Sequence, residues 1–67
     1  MGITLKAARV NKDLTQKEAA MKLGIDPDTL RKWEKAESFP NVPQIQKIEN
    51  LYGLSYSEII FLPPTSV

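Results

Sequence analysis

In this 67-residue chain, the side chains able to do chemistry gather in the stretch TQKEAAMKLGIDPDTLRKWEK, Thr15 to Lys35. Asp28, Arg31 and Lys32 recur there at i, i+3 and i+4, so one helix would carry all three on one face, with Leu30 and Trp33 on the other. A guanidinium, an ammonium and a carboxylate so placed are hydrogen-bonding tools for recognition. The chain has no histidine and no cysteine. The commonest general base, the commonest metal ligand, a thiolate site and a disulfide framework are therefore missing. With the carboxylates spread along helix surfaces, no enzyme site can be assembled, and no cofactor, metal or small-molecule ligand is expected.

Composition sets the frame for that chemistry. One domain, residues 1–67, is expected, with a core over about 4–62 and a frayed tail at 63–67. Nine Lys/Arg against eight Asp/Glu give a formal net charge of +1, which by itself points to no partner. The longest apolar run, Ile59-Ile60-Phe61-Leu62, falls far short of a membrane span or signal-peptide core, so no membrane partner and a cytoplasmic location are expected.

Every local signal is helical, which predicts an all-α fold of five helices. Thr4 can cap a first helix to about Val10, with Leu5 and Ala8 facing inward; Asn11-Lys12-Asp13 breaks it, and Leu14 anchors the loop. Thr15 and Glu18 form a capping box, so a second helix starts at Gln16, and Gly24 ends it. Asp26 caps a third helix with Pro27 at its first position, running to about Lys35. After the connector AESFPN, Asn41 caps a fourth helix closed by Gly53, with Ile45, Ile48, Leu51 and Tyr52 inward. Ser55 and Glu58 form a second capping box that opens a short fifth helix carrying Ile59 and Ile60, stopped by Pro63-Pro64.

The second and third helices have the spacing of a helix-turn-helix. Counted from Gln16, the fourth and fifth places are Ala19 and Ala20, the eighth to tenth Leu23, Gly24 and Ile25, the fifteenth Leu30 and the eighteenth Trp33. The fifth place must be small where the helices cross, the ninth must turn tightly, and the others must be apolar to lock the crossing. On this reading the second helix braces the third, and the third is presented to DNA.

In LTQKEAAMKLGI, LRKWEK and GLSYSEII, roughly Leu5 to Leu62, the chain resembles the Cro/C1-type (XRE-like) helix-turn-helix family of phage and bacterial transcriptional regulators. The resemblance implies a compact five-helix, lambda-repressor-like bundle that binds operator DNA, often as a two-fold dimer, with helix three in the major groove. It implies base contacts from Pro27, Asp28, Arg31 and Lys32, and phosphate contacts from Gln16, Lys17, Thr29 and Gln44. Arg31 or Lys32 would donate to guanine and Asp28 would accept from cytosine. It also implies that Arg9 and Glu34 form a structural pair tying helix one to helix three.

Other readings stand beside these. Arg31 and Lys32 on their own are also a solvated face, Asp28 a partner of the helix dipole, and Gln16 a first-turn residue. Trp33 reads as core rather than a base-stacking platform. Phe61 and Leu62 fit either packing against helix one or a homodimer seam. As a different class of function, the same fold would serve as a protein-interaction module, such as an antirepressor that binds a partner repressor, or an antitoxin.

Overall fold

The computed structural model describes residues 2–61. Two-residue strand β1 (Ile3–Thr4) leads into helix α1 (Leu5–Asn11), followed by α2 (Gln16–Leu23), α3 (Pro27–Glu34) and α4 (Val42–Tyr52). A single 3-10 turn, Tyr56–Glu58, then delivers β2 (Ile59–Ile60), which pairs in parallel with β1 in the register Ile3↔Ile59, Thr4↔Ile60.

The helix starts follow from their caps. Thr4 Oγ1 accepts from Ala7 N–H, and complete capping boxes close around Thr15 with Glu18 and Asn41 with Gln44. Gly24 and Gly53 end α2 and α4 in the left-handed region, at φ 73° and 68°, where a Cβ would be strained. Asp26 departs from the expected cap. Its backbone has N-cap geometry, but its side chain makes no capping hydrogen bond. The start of α3 rests on Pro27, whose ring fixes the first helical φ and which has no N–H to leave unsatisfied in the first turn.

The expected fifth helix is not formed, so the described residues hold four α-helices rather than five. Ser55 and Glu58 do pair, with Glu58 Oε1 accepting from Ser55 N–H at 2.9 Å, but Glu58 N–H bonds the Ser55 carbonyl and the pair organises one 3-10 turn only. Two successive β-branched residues follow it, and these favour extended backbone. Pairing with β1 takes up part of their backbone hydrogen bonding, while Ile59 turns into the core and Ile60 outward. Leu62, Pro63-Pro64 and the expected tail lie outside the described residues.

Leu5, Ala8, Ala19, Ala20, Leu23, Leu30, Trp33, Ile48, Tyr52 and Ile59 form one buried cluster. Ile3, Leu14, Ile25, Leu51, Leu54 and Phe61 pack against its margin.

Helix α3 ends in a left-handed turn at a residue that is not glycine: Ala36 has φ 60°. Glu37 N–H closes back on the Lys32 carbonyl at 2.9 Å, so the termination is the one glycine usually provides. Alanine pays roughly 1–2 kcal/mol for this conformation. Ala36→Gly should therefore stabilise the fold by about 1 kcal/mol, a rise in Tm of about 4–8 °C for a protein of this size. A thermal melt showing no rise would contradict the strain.

Candidate nucleic-acid interface

The candidate interface is built on the α2–α3 pair. Ala20, with no exposed surface, sits where the two helices pack, and a methyl side chain lets the backbones approach. Ile25 N–H returns to the Ala20 carbonyl at 3.0 Å across the Gly24 turn. Leu30 and Trp33 are buried behind α3, leaving Pro27, Asp28 and Lys32 exposed and Arg31 and Thr29 half-buried.

A nearly buried ion pair holds α3 to α1. Arg9 Nε donates to Glu34 Oε2 at 2.7 Å, Arg9 Nη2 to Glu34 Oε1 at 3.3 Å and Arg9 Nη1 to the Leu14 carbonyl at 2.9 Å. The Arg9 guanidinium thus fastens helix, loop and α3 together. Gln16 joins the same group, because its Nε2 donates to Glu34 Oε1 at 3.0 Å. The amide nitrogen expected at a phosphate is thereby turned inward, and the outward donors at the start of α2 are backbone N–H groups and the exposed Lys17. Gln44 differs: its Oε1 accepts from Asn41 N–H at 2.8 Å in the capping box, and its Nε2, the group able to donate to a phosphate, makes no hydrogen bond among the described residues.

Tyr52 is buried beside the Arg9–Glu34 pair, and its hydroxyl has no hydrogen-bond partner among the described residues. Burial, reinforced by the negative charge of Glu34, pushes its pKa up to about 12 from an ordinary 10.0. Ionisation is thus harder in the folded than in the unfolded chain, so stability falls as the pH rises through that interval. Tyr52→Phe should be neutral or stabilising by up to about 1 kcal/mol and should lessen the alkaline loss. Urea melts at neutral and alkaline pH check both; a clear loss at neutral pH would show the hydroxyl to be partnered.

On the outer face, Asp28 Oδ1 accepts from Arg31 Nε at 3.0 Å and lies 2.9 Å from Arg31 Nη2. Lys32 Nζ stands 3.6 Å from Asp28 Oδ2, and Glu37 Oε1 4.0 Å from Arg31 Nη1. The hydrogen bond from Arg31 is the main reason the Asp28 carboxyl is held below the usual range, so it stays charged at neutral pH. Glu37 did not stand out in the sequence. It reaches Arg31 because the Ala36 turn folds the chain back, and an alanine gives little warning of a left-handed residue.

Among the described residues, no group of His, Cys, Asp and Glu is arranged to hold a metal ion, and no helix is long and apolar enough to cross a membrane.

A small core, two helices crossing at an alanine and a glycine turn, and a polar outer face on the second of them define a helix-turn-helix protein. Residues 5–59 match the family described as helix-turn-helix, and the chain belongs to that family. Over 63 residues it is 27% identical to the cryptic phage CTXphi transcriptional repressor RstR of Vibrio cholerae, covering 94% of this chain and 57% of that protein. Over 55 residues it is 40% identical to the HTH-type transcriptional regulator ImmR of Bacillus subtilis (strain 168), covering 82% of this chain and 43% of that protein. The chain thus spans about half the length of these curated relatives.

Proposed function

We propose that the chain is a sequence-specific DNA-binding transcriptional regulator that sets α3 in the major groove of an operator. The observation that carries this is the α2–α3 pair, which buries Leu30 and Trp33 and leaves Arg31 and Lys32 outward. The similarity to proteins named as a transcriptional repressor and a transcriptional regulator supports it. Arg31 and Lys32 donate to base edges. Lys17, Thr29, Gln44 and the first turn of α2, headed by Gln16, meet the phosphates, with Gln16 contributing mainly through its backbone. The role is binding, not catalysis.

A homodimer suits this function, since two recognition helices about 34–36 Å apart read a near-palindromic site. The apolar surface that would form its seam is present: Phe39 and Tyr56 are 59% and 55% exposed, and the Tyr56 and Phe61 rings stack with centroids 5.5 Å apart. That same surface favours the second reading, a protein-interaction module that engages a partner repressor. The two separate on mutation. For a DNA reader, Arg31→Ala should weaken binding to the preferred duplex by about 1–3 kcal/mol and relax preference at particular bases, measured by fluorescence titration. If Arg31→Ala and Lys32→Ala both bind like the parent, while Tyr56→Ala or Phe61→Ala abolishes capture of a protein partner, the interaction module is the right reading.

A further inference from the structure

The geometry points to Asp28 as a positioning residue for base readout, one that aims the Arg31 guanidinium at a single guanine and makes no base contact of its own. This inference rests on the operator-binding reading above and adds to it the residue that sets specificity.

Pro27 fixes the backbone of the first turn of α3, and the positive end of the helix dipole favours a carboxylate at the next position. The backbone that carries Asp28 is therefore fixed independently of Arg31. Its Oδ1 then accepts from Nε at 3.0 Å and stands 2.9 Å from Nη2. Of the five N–H donors of an arginine, this hydrogen-bonds the one on Nε and draws the Nη2 group by charge along the same edge. The opposite fork, between Nη1 and Nη2, keeps its donors in the paired geometry that fits guanine O6 and N7.

A free arginine must give up its rotamer freedom on binding, whereas one already clamped gives up less. Charge leads to the same conclusion. The segment Asp26 to Lys35 holds three basic and three acidic side chains, so α3 offers DNA no net surplus of positive charge. A bare aspartate on that face would repel phosphate. Asp28 is neutralised locally by Arg31 and by Lys32, whose Nζ is 3.6 Å from Oδ2. Glu37, 4.0 Å from Nη1, stands beyond hydrogen-bond reach and leaves the outward fork unoccupied.

The test compares the preferred bases of five proteins selected on a random duplex library: the parent, Asp28→Ala, Asp28→Asn, Arg31→Ala and the Asp28→Ala, Arg31→Ala double variant, each with a thermal melt. Arg31→Ala should erase a guanine preference at one position of the site. Asp28→Ala should weaken preference at that same position by about fivefold or more, the lower end of what a bidentate contact discriminates, and leave the other positions alone. The double variant should look like Arg31→Ala. Asp28→Asn, which keeps an acceptor, should recover part of the loss. Binding of Asp28→Ala to non-specific duplex should hold or improve, because a negative charge has left the face.

If Asp28→Ala instead changes a different base position, and does so equally in the Arg31→Ala background, Asp28 contacts a base directly and the inference fails. A fall in Tm with unchanged base preference makes Asp28 a helix-dipole partner only, and again it fails. A parent chain that enriches no motif overturns the operator reading itself, and the positioning role falls with it.

Discussion

Glu34→Ala should cost the fold about 3–5 kcal/mol, the expected penalty for stranding one member of a buried ion pair. Stability of about 0.05–0.15 kcal/mol per residue is ordinary, so a chain this short would lose most of what it has. The cause is the cation left behind. Arg9 is only 8% exposed, and without Glu34 its guanidinium keeps the Leu14 carbonyl as its one acceptor among the described residues. Gln16 also loses its partner. Glu34→Gln, which keeps an acceptor oxygen, should cost less. Replacing the pair together, Arg9→Met with Glu34→Leu, should recover much of the loss, because a packed apolar pair often matches a buried salt bridge. Urea melts of the four proteins measure this. A Glu34→Ala loss below about 1 kcal/mol would mean that the pair behaves like a solvent-exposed one.

The second large effect is expected at Leu30. It is fully buried at the back of α3, within the cluster shared with α2 and α4. Leu30→Ala removes three carbons and leaves a cavity whose walls are held by helices, a change that costs about 2–5 kcal/mol. Each kcal/mol should lower Tm by about 4–8 °C. The urea m-value should stay constant, since the surface exposed on unfolding barely changes. Under the proposed function, DNA affinity measured well below the lowered Tm should be near that of the parent, because Leu30 touches no base. A large affinity loss in a chain still fully folded would mean that Leu30 also sets the orientation of α3.

Much of this was legible in the residues. Thr15-Glu18 and Asn41-Gln44 announce helix starts because the reciprocal hydrogen bonds are local and need no tertiary context. Gly24 and Gly53 mark ends for the same reason, and the spacing of Ala20, Gly24, Leu30 and Trp33 marks how α2 and α3 pack. What escaped were the features decided by distant partners. Ile59-Ile60 follow the Ser55-Glu58 pair, yet they become a strand because Ile3-Thr4 lies alongside. The inward turn of the Gln16 amide depends on where Glu34 ends up, and the approach of Glu37 to Arg31 depends on a left-handed alanine. A local pattern cannot carry such long-range choices.

The outer face of α3 shows the same division. Its composition named Asp28, Arg31 and Lys32, but only the folded structure shows that Asp28 grips the arginine by one edge. Acid should loosen this grip. The folded-state pKa of Asp28 is depressed, so the contribution of the contact is present above the ordinary aspartate range and is lost as the pH falls through the lowered value.

The most direct measurement of the central claim is a binding selection of the parent chain on a random duplex library, with the winners titrated at about 50 and 200 mM salt. Phosphate attraction fades steeply over that range, whereas base discrimination survives it. The account expects an enriched, near-palindromic motif whose preference over random duplex persists at the higher salt. Weak binding with no enriched sequence, vanishing as salt is added, would contradict it.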